Sequence, residues 1–171
     1  PLVAKVHIEA QRYESDGDEV ILIGHEGHPE VEGTSGRLEK GPQIVATAKE
    51  VQSVKVSNPD KVAYVTQTTL SVWDTEHIIS AVLAKHPGAE VHNDICMATQ
   101  DRQEAAVMAA DECDLVLVVG SERSSNSKRL VEVVRAVKDT PAYLVDTVAD
   151  IDLGWLAGAK RVGITAGAST P

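Results

Sequence analysis

The chain contains no phenylalanine, and its apolar residues gather in short runs of valine, isoleucine and leucine. A core built this way is filled by aliphatic side chains, which suit parallel strands buried on both faces and read as near-continuous β-branched stretches. Runs of strand length recur at residues 19–24 (EVILIG), 43–46 (QIVA), 61–67 (KVAYVTQ), 115–120 (LVLVVG), 141–146 (PAYLVD) and 161–165 (RVGIT). Segments with helical spacing lie between them. Residues 75–85 place Ile78, Ile79, Val82 and Leu83 on one stripe, residues 101–112 place Ala105, Val107, Met108 and Ala109 inside, and residues 127–138 do the same with Leu130, Val133, Val134 and Val137. The alternation predicts an α/β protein. The turn-rich stretch HPGAEVHNDIC, residues 86–96, has little hydrophobic periodicity and predicts a boundary between two small domains, 1–94 and 95–171, each a mainly parallel sheet flanked by helices.

Composition closes off several classes. With 16 basic and 26 acidic residues the net charge is −10, which argues against a general binder of nucleic acid or anionic membranes. No apolar run approaches the roughly 20 residues of a membrane span. Two cysteines, Cys96 and Cys113, are too few for a disulfide framework and fit a reducing cytoplasm. The opening PLVAKVHIEA lacks the features of a signal peptide. It also lacks an initiator methionine, and the closing AGASTP reads as the start of another helix, so the expectation is a piece of a longer protein.

The chemistry collects in the loops after the strands. EVILIG runs into HEGHPEVEGTSG, KVAYVTQ into TTLSVWDT, LVLVVG into SERSSNS, and RVGIT into AGASTP. Ligands of open α/β sheets bind beyond the carboxyl ends of the strands, where such loops converge. Hydroxyls, an amide and imidazoles at helix starts make a phosphate or diphosphate site without a lysine loop, and neither GxxxxGK[ST] nor GxGxxG is present. The same residues are good N-caps, so for Ser124, Ser125, Asn126 and Ser127, for Thr68, Thr69 and Ser71, and for Ser169 after Gly167, capping and ligand binding both stand. In HEGHPE, His28 can donate to an anion and Glu30 can shuttle protons; the alternative is a solvated turn. HEGH is not the zincin motif, although a metal-dependent hydrolase using His25, His28 and Glu30 is a third reading. Cys96 precedes a helix whose N-terminus favours a thiolate, against the alternative of an inert buried thiol; Cys113 reads as structural.

Five ordered stretches, GHEGHPEVEGTSG, YVTQTTLSVWDT, DICMATQDRQEA, VVGSERSSNS and VGITAGASTP, together with the opening PLVAKVH, resemble the 4-hydroxy-3-methylbut-2-enyl diphosphate reductase family of the methylerythritol phosphate route to isoprenoids. The resemblance implies an oxidoreductase with a [4Fe–4S] cluster held by three cysteines, of which Cys96 is the third. It implies that His28 binds the diphosphate, that Glu30 delivers protons, and that Thr68 lies beside the substrate hydroxyl. Ser124, Ser125, Asn126 and Ser169 would grip the diphosphate. The reaction would remove the allylic hydroxyl as water, using two electrons and two protons, to give isopentenyl and dimethylallyl diphosphate. Ferredoxin or flavodoxin would supply the electrons, in a bacterial cytoplasm or a plastid stroma.

The family has three similar α/β domains, so this chain would carry the second and third, with the third truncated. Two further cluster cysteines, one directly before the PLV motif, and two diphosphate-binding histidines would precede this chain. Trp73 stands where the family commonly has an acidic residue, and Arg123 where a smaller polar residue is usual. The expectation is a chain that folds but is inactive alone. The competing class is a standalone diphosphate-binding module without redox activity.

Overall fold

A computed structural model describes residues 2–168 and 170. The chain divides into two compact units, Pro1–Cys96 and Met97–Pro171, two residues beyond the boundary at 94 expected from sequence. No helix of the described residues is long and apolar enough to cross a membrane.

In the first unit a four-stranded parallel sheet is built from β1 (Glu19–Ile23), β2 (Gln43–Val45), β3 (Val62–Thr66) and β4 (Glu90–His92), in the order β2-β1-β3-β4. Because side chains alternate across a strand, β1 and β3 feed two cores at once. Ile21, Ile23 and Tyr64 face α3 (Ala48–Val51) and α4 (Val72–Lys85), packing with Val51, Ile78 and Val82. Val20, Leu22, Ala63 and Val65 pack on the other side with Val6, Ala10 and Tyr13 of α1 (Leu2–Ser15) and Val31 of α2 (Pro29–Ser35). The register sets Ile23 opposite Thr66, so the loops leaving β1 and β3 emerge side by side.

The second unit repeats the plan with β5 (Leu115–Val119), β6 (Ala142–Val145) and β7 (Val162–Ala166), all parallel in the order β6-β5-β7. Val116 and Val118 pack under α5 (Met97–Ala110) and α6 (Ser125–Lys138), with Ala106, Ala110, Leu130 and Val134. Leu115 and Leu117 pack on the opposite face with Val145, Tyr143 and Trp155, the two rings stacking 4.0 Å apart, next to two short 3-10 turns. In both units the chain leaves its first strand for a neighbour on one side and returns on the other. The crevices between β1 and β3 and between β5 and β7 are therefore switch points, where ligands of open α/β sheets bind.

The structure corrects the sequence reading in detail. Residues 86–96 are not simply a connector, since they contain β4. Helices α1 and α2 were not anticipated. Helix α5 buries Thr99, Gln103, Ala106, Val107 and Ala110, whereas Met108 and Ala105 face solvent. Leu83 and Val137 likewise lie at the exposed margins of their helices.

One buried polar pair fixes a pH dependence. His86 caps the C-terminus of α4, and its Nδ1 shares a 2.8 Å hydrogen bond with the Tyr64 hydroxyl inside the first core. Burial, with help from the Lys85 charge, holds His86 below the usual histidine range, and burial pushes Tyr64 up to about 12. The unfolded chain binds the histidine proton near pH 6.5, while folded His86 is still neutral, so this stability is complete above about 6.5 and declines as the pH falls through it. At the alkaline end, stability falls above about pH 10, where only the unfolded tyrosine ionises. Melting followed by circular dichroism will show Tm falling between pH 7 and 5, and His86→Gln will flatten that slope. Equal slopes in the two proteins would refute the assignment.

Candidate functional site

The crevice between β1 and β3 is assembled from the loops that follow them. Gly24 follows β1 where no side chain fits: a Cβ would lie 2.6 Å from Val31 Cγ2 and 3.2 Å from Gln67 Oε1. The chain turns at once, with His28 N–H donating to the His25 carbonyl and Gly27 adopting a φ of +79°. His28 caps α2, its Nδ1 accepting from Glu30 N–H at 3.2 Å, and Pro29 opens the helix, where its missing N–H costs nothing. Glu30 is thereby aimed across the crevice. Its Oε2 accepts from both the backbone N–H of Thr68 (2.9 Å) and the Thr68 hydroxyl (2.7 Å), and its Oε1 accepts from Thr69 at 3.4 Å. Gln67 locks the same loops together, donating to Thr69 Oγ1 at 2.8 Å and accepting from His25 N–H at 3.1 Å. The Thr68 carbonyl accepts from Cys96 N–H at 3.1 Å. His28, Glu30, Thr68 and Cys96 therefore belong to one connected patch.

The crevice between β5 and β7 follows the same plan. Gly120 ends β5, Ser124 N–H donates to the Ser121 carbonyl, and Ser124 caps α6 by accepting from Ser127 N–H at 3.3 Å. Asn126 is only 8% exposed, and neither atom of its amide has a hydrogen-bond partner among the described residues. Ser127 Oγ is also buried and lodged against Gly120 and Gly167, where an added Cβ would overlap it. Thr170 closes the far side, donating from its hydroxyl to the Val119 carbonyl at 2.9 Å. A 14-residue helix brings the positive end of its dipole to this place.

The two sites match position by position. Gly24 and Gly120 donate to Val45 and Val145, and Gln67 and Gly167 donate to Ile23 and Val119. Counting from each glycine, the cap is four residues on (His28, Ser124), the crevice residue six (Glu30, Asn126), and the residue filling the space over the glycine seven (Val31, Ser127). Sequence reasoning picked out the caps and the crevice residues but missed the glycines at the ends of β1 and β5, along with Gln67. The signal was the fixed spacing after each strand-ending glycine, obscured because GHEGHPEV and GSERSSNS share only Gly and one Glu.

Ser169 lies outside the described residues. Ser71 serves as the N-cap of α4, accepting from Asp74 N–H. The hydrolase reading finds no support: His25 is exposed, Glu30 is committed to Thr68, and no three metal-ligating side chains converge among the described residues. Neither cysteine is in a disulfide. Cys113 packs near Gly163 before β5, at the end of the sheet away from the loops.

A family model described as LytB protein matches residues 1–171. The chain is 53% identical over 177 residues to the 4-hydroxy-3-methylbut-2-enyl diphosphate reductase of Pseudomonas savastanoi pv. phaseolicola, covering all of this chain and 56% of that protein. It is 51% identical to the reductase of Chromobacterium violaceum, of which it covers 55%. Among solved structures, the E-1-hydroxy-2-methyl-but-2-enyl-4-diphosphate reductase of Plasmodium falciparum superposes with a TM-score of 0.94 at 38% identity, over the whole of this chain and 54% of that one. The chain thus spans about half the length of the relatives it matches.

Asn126 offers a direct test of whether this crevice is kept for the fold or for a ligand. A buried amide without partners costs about 1–3 kcal/mol, and an apolar residue of the same shape removes that cost. Asn126→Leu will therefore leave the Tm of the ligand-free chain unchanged or raise it, as read by calorimetry. A large fall in Tm would show that Asn126 is there for the fold.

Proposed function

The chain belongs to the LytB family, and from that premise we propose that it is part of a reductase acting on 4-hydroxy-3-methylbut-2-enyl diphosphate. The reaction takes up two electrons and two protons, breaks the allylic C–O bond, and releases water with isopentenyl or dimethylallyl diphosphate. The observation that carries this reading is the Glu30 carboxylate, held by the N–H and hydroxyl of Thr68 at a sheet switch point. Unprotonated, it accepts from Thr68; protonated, it becomes a donor and can pass its proton to a hydroxyl held by the Thr68 side chain. His28, whose Nδ1 accepts from Glu30 N–H at the start of α2, is the proposed imidazole contact to the diphosphate. In the second unit Ser124, Ser125 and the amide of Asn126 suit the diphosphate, with Ser169 proposed as a further contact.

The donor set fits one corner of a [4Fe–4S] cluster. Cys96 is partly buried, its backbone is fixed to Thr68, and thiolates are the usual ligands of such clusters. This sequence has one other cysteine, Cys113, which packs against Gly163 at the end of the second sheet away from its loops, so the remaining ligands are proposed to come from outside this chain. When bound, such a cluster supplies the electrons, and ferredoxin or flavodoxin is the proposed source. The chain's own residues hold the diphosphate, orient the hydroxyl and deliver the proton.

Two measurements test this reading. In the full-length protein loaded with iron and sulfide, Glu30→Gln will lower kcat by about 100-fold or more while changing KM little, the signature of a lost proton donor. Pyrophosphate titrated calorimetrically into this chain will bind, and Asn126→Leu will weaken that binding at least about tenfold. A loaded full-length protein that binds the substrate without reducing it would instead establish a diphosphate-binding module.

A further inference from the structure

A ladder of polar contacts fastens α1 to the segment that runs from β4 to Cys96. Tyr13 shares a short hydrogen bond with His92 Nε2, and Glu9 Oε1 lies 4.0 Å from His92 Nδ1. Lys5 Nζ reaches both Glu9 (3.4 Å) and Asp94 Oδ1 (2.9 Å). The rungs on the helix are residues 5, 9 and 13, and those on the extended segment are 92 and 94. Four helical residues advance about 6 Å and two extended ones about 6.7 Å, so Lys5 with Asp94 and Glu9 with His92 stay nearly in step, and the long Tyr13 side chain reaches the same His92. Glu90 and Arg12 are the outer charges, near His92 and Tyr13 respectively.

Asp94 is the anomalous member. It is 4% exposed, it has Lys5 as its one cation, and its Oδ2 has no partner among the described residues. A buried carboxylate half-satisfied in this way is poor value for stability alone. Its position suggests what it is for. Asp94 N–H donates to Thr66 Oγ1 at 2.7 Å and Cys96 N–H donates to the Thr68 carbonyl, so the backbone of this segment is tied to the end of β3. With the Tyr13–His92 bond, the ion pair also ties the segment to α1, and it does so two residues before the thiol.

We infer that Lys5 and Asp94 form a clamp that positions Cys96, acting through the segment they fasten and touching no bound molecule themselves. The clamp holds Cys96 against the Glu30–Thr68 patch and in a fixed relation to the start of α1. Its bearing on a metal cluster rests on the reductase reading; the clamp itself does not.

The test uses this chain with Cys113→Ser, so that Cys96 is its one thiol. Its rate of reaction with 4,4′-dithiodipyridine, an uncharged reagent, is measured well below the melting temperature. Lys5→Met and Asp94→Asn will each speed the reaction by about tenfold, because local opening is released. The double variant will react no faster than the faster single one, since both remove the same contact. Lys5→Arg, which keeps the ion pair, will react at close to the parent rate. Single variants within twofold of the parent, additive acceleration in the double variant, or Lys5→Arg as fast as Lys5→Met would each overturn the clamp. Should Asp94→Asn fail to fold, the two Lys5 variants, at a half-exposed side chain, decide the matter. A full-length protein that takes up no cluster would remove the reductase reading and leave these rates unchanged.

Discussion

The first unit depends on one contact across a strand pair, the Glu30 carboxylate against Thr68. That contact is available because β1 and β3 are neighbours in register, with Ile23 opposite Thr66. The two chains then leave the sheet together, and whatever follows each strand meets the other within a few residues. Glycine at position 24 lets α2 come close enough for Glu30 to reach, since a methyl group there would strike Val31 and Gln67. Two hydrogen bonds from Thr68 and one from Thr69 give the carboxylate the partners it needs in a half-enclosed place. The site thus follows from sheet order, a glycine and a cap, in that sequence.

The second unit sets a different group on the same frame. At the position equivalent to Glu30 it carries Asn126, a neutral group that both donates and accepts, and there the described residues supply no partner. A carboxylate buried in that setting would carry a far larger desolvation penalty, whereas an amide bears a cost of about 1–3 kcal/mol. The partnered charge lies in one unit and an amide without a partner among the described residues in the other, on one repeated arrangement of strand, glycine, cap and helix, and the proposed division between proton delivery and diphosphate binding follows that difference.

Much of this was legible in the sequence, and the exceptions share physical causes. The strands of the central pairs were plain because Val and Ile runs such as VILI and LVLVV are buried on both faces. Strand β4 was missed because EVH is short and only partly buried, leaving no hydrophobic run to read. Helix α5 was found with Val107 correctly inside but Ala105 and Met108 misplaced, because a helix of many alanines has almost no apolar contrast and its buried side includes Thr99 and Gln103. Capping and ligand binding could not be separated at Ser124 from sequence, since one hydroxyl can cap through its lone pair while its proton points elsewhere. Asn126 became distinctive only in three dimensions, where its burial and its lack of partners among the described residues are visible together.

The placement of Cys96 follows from the same logic of strand ends. It is the last residue of the first unit and directly precedes α5, a place where chains commonly run as flexible connectors. Instead its backbone is bonded to Thr68, the residue that also holds Glu30. A thiol carried on a loose loop would sample many positions, and the ordering cost of about 1–2 kcal/mol per residue would fall on the binding event. Here that cost is met during folding, by bonds to Thr66 and Thr68 and by the buried Asp94 reaching Lys5. Glu30, Thr68 and Cys96 are then parts of one hydrogen-bonded body, and a displacement at any one of them is felt at the other two.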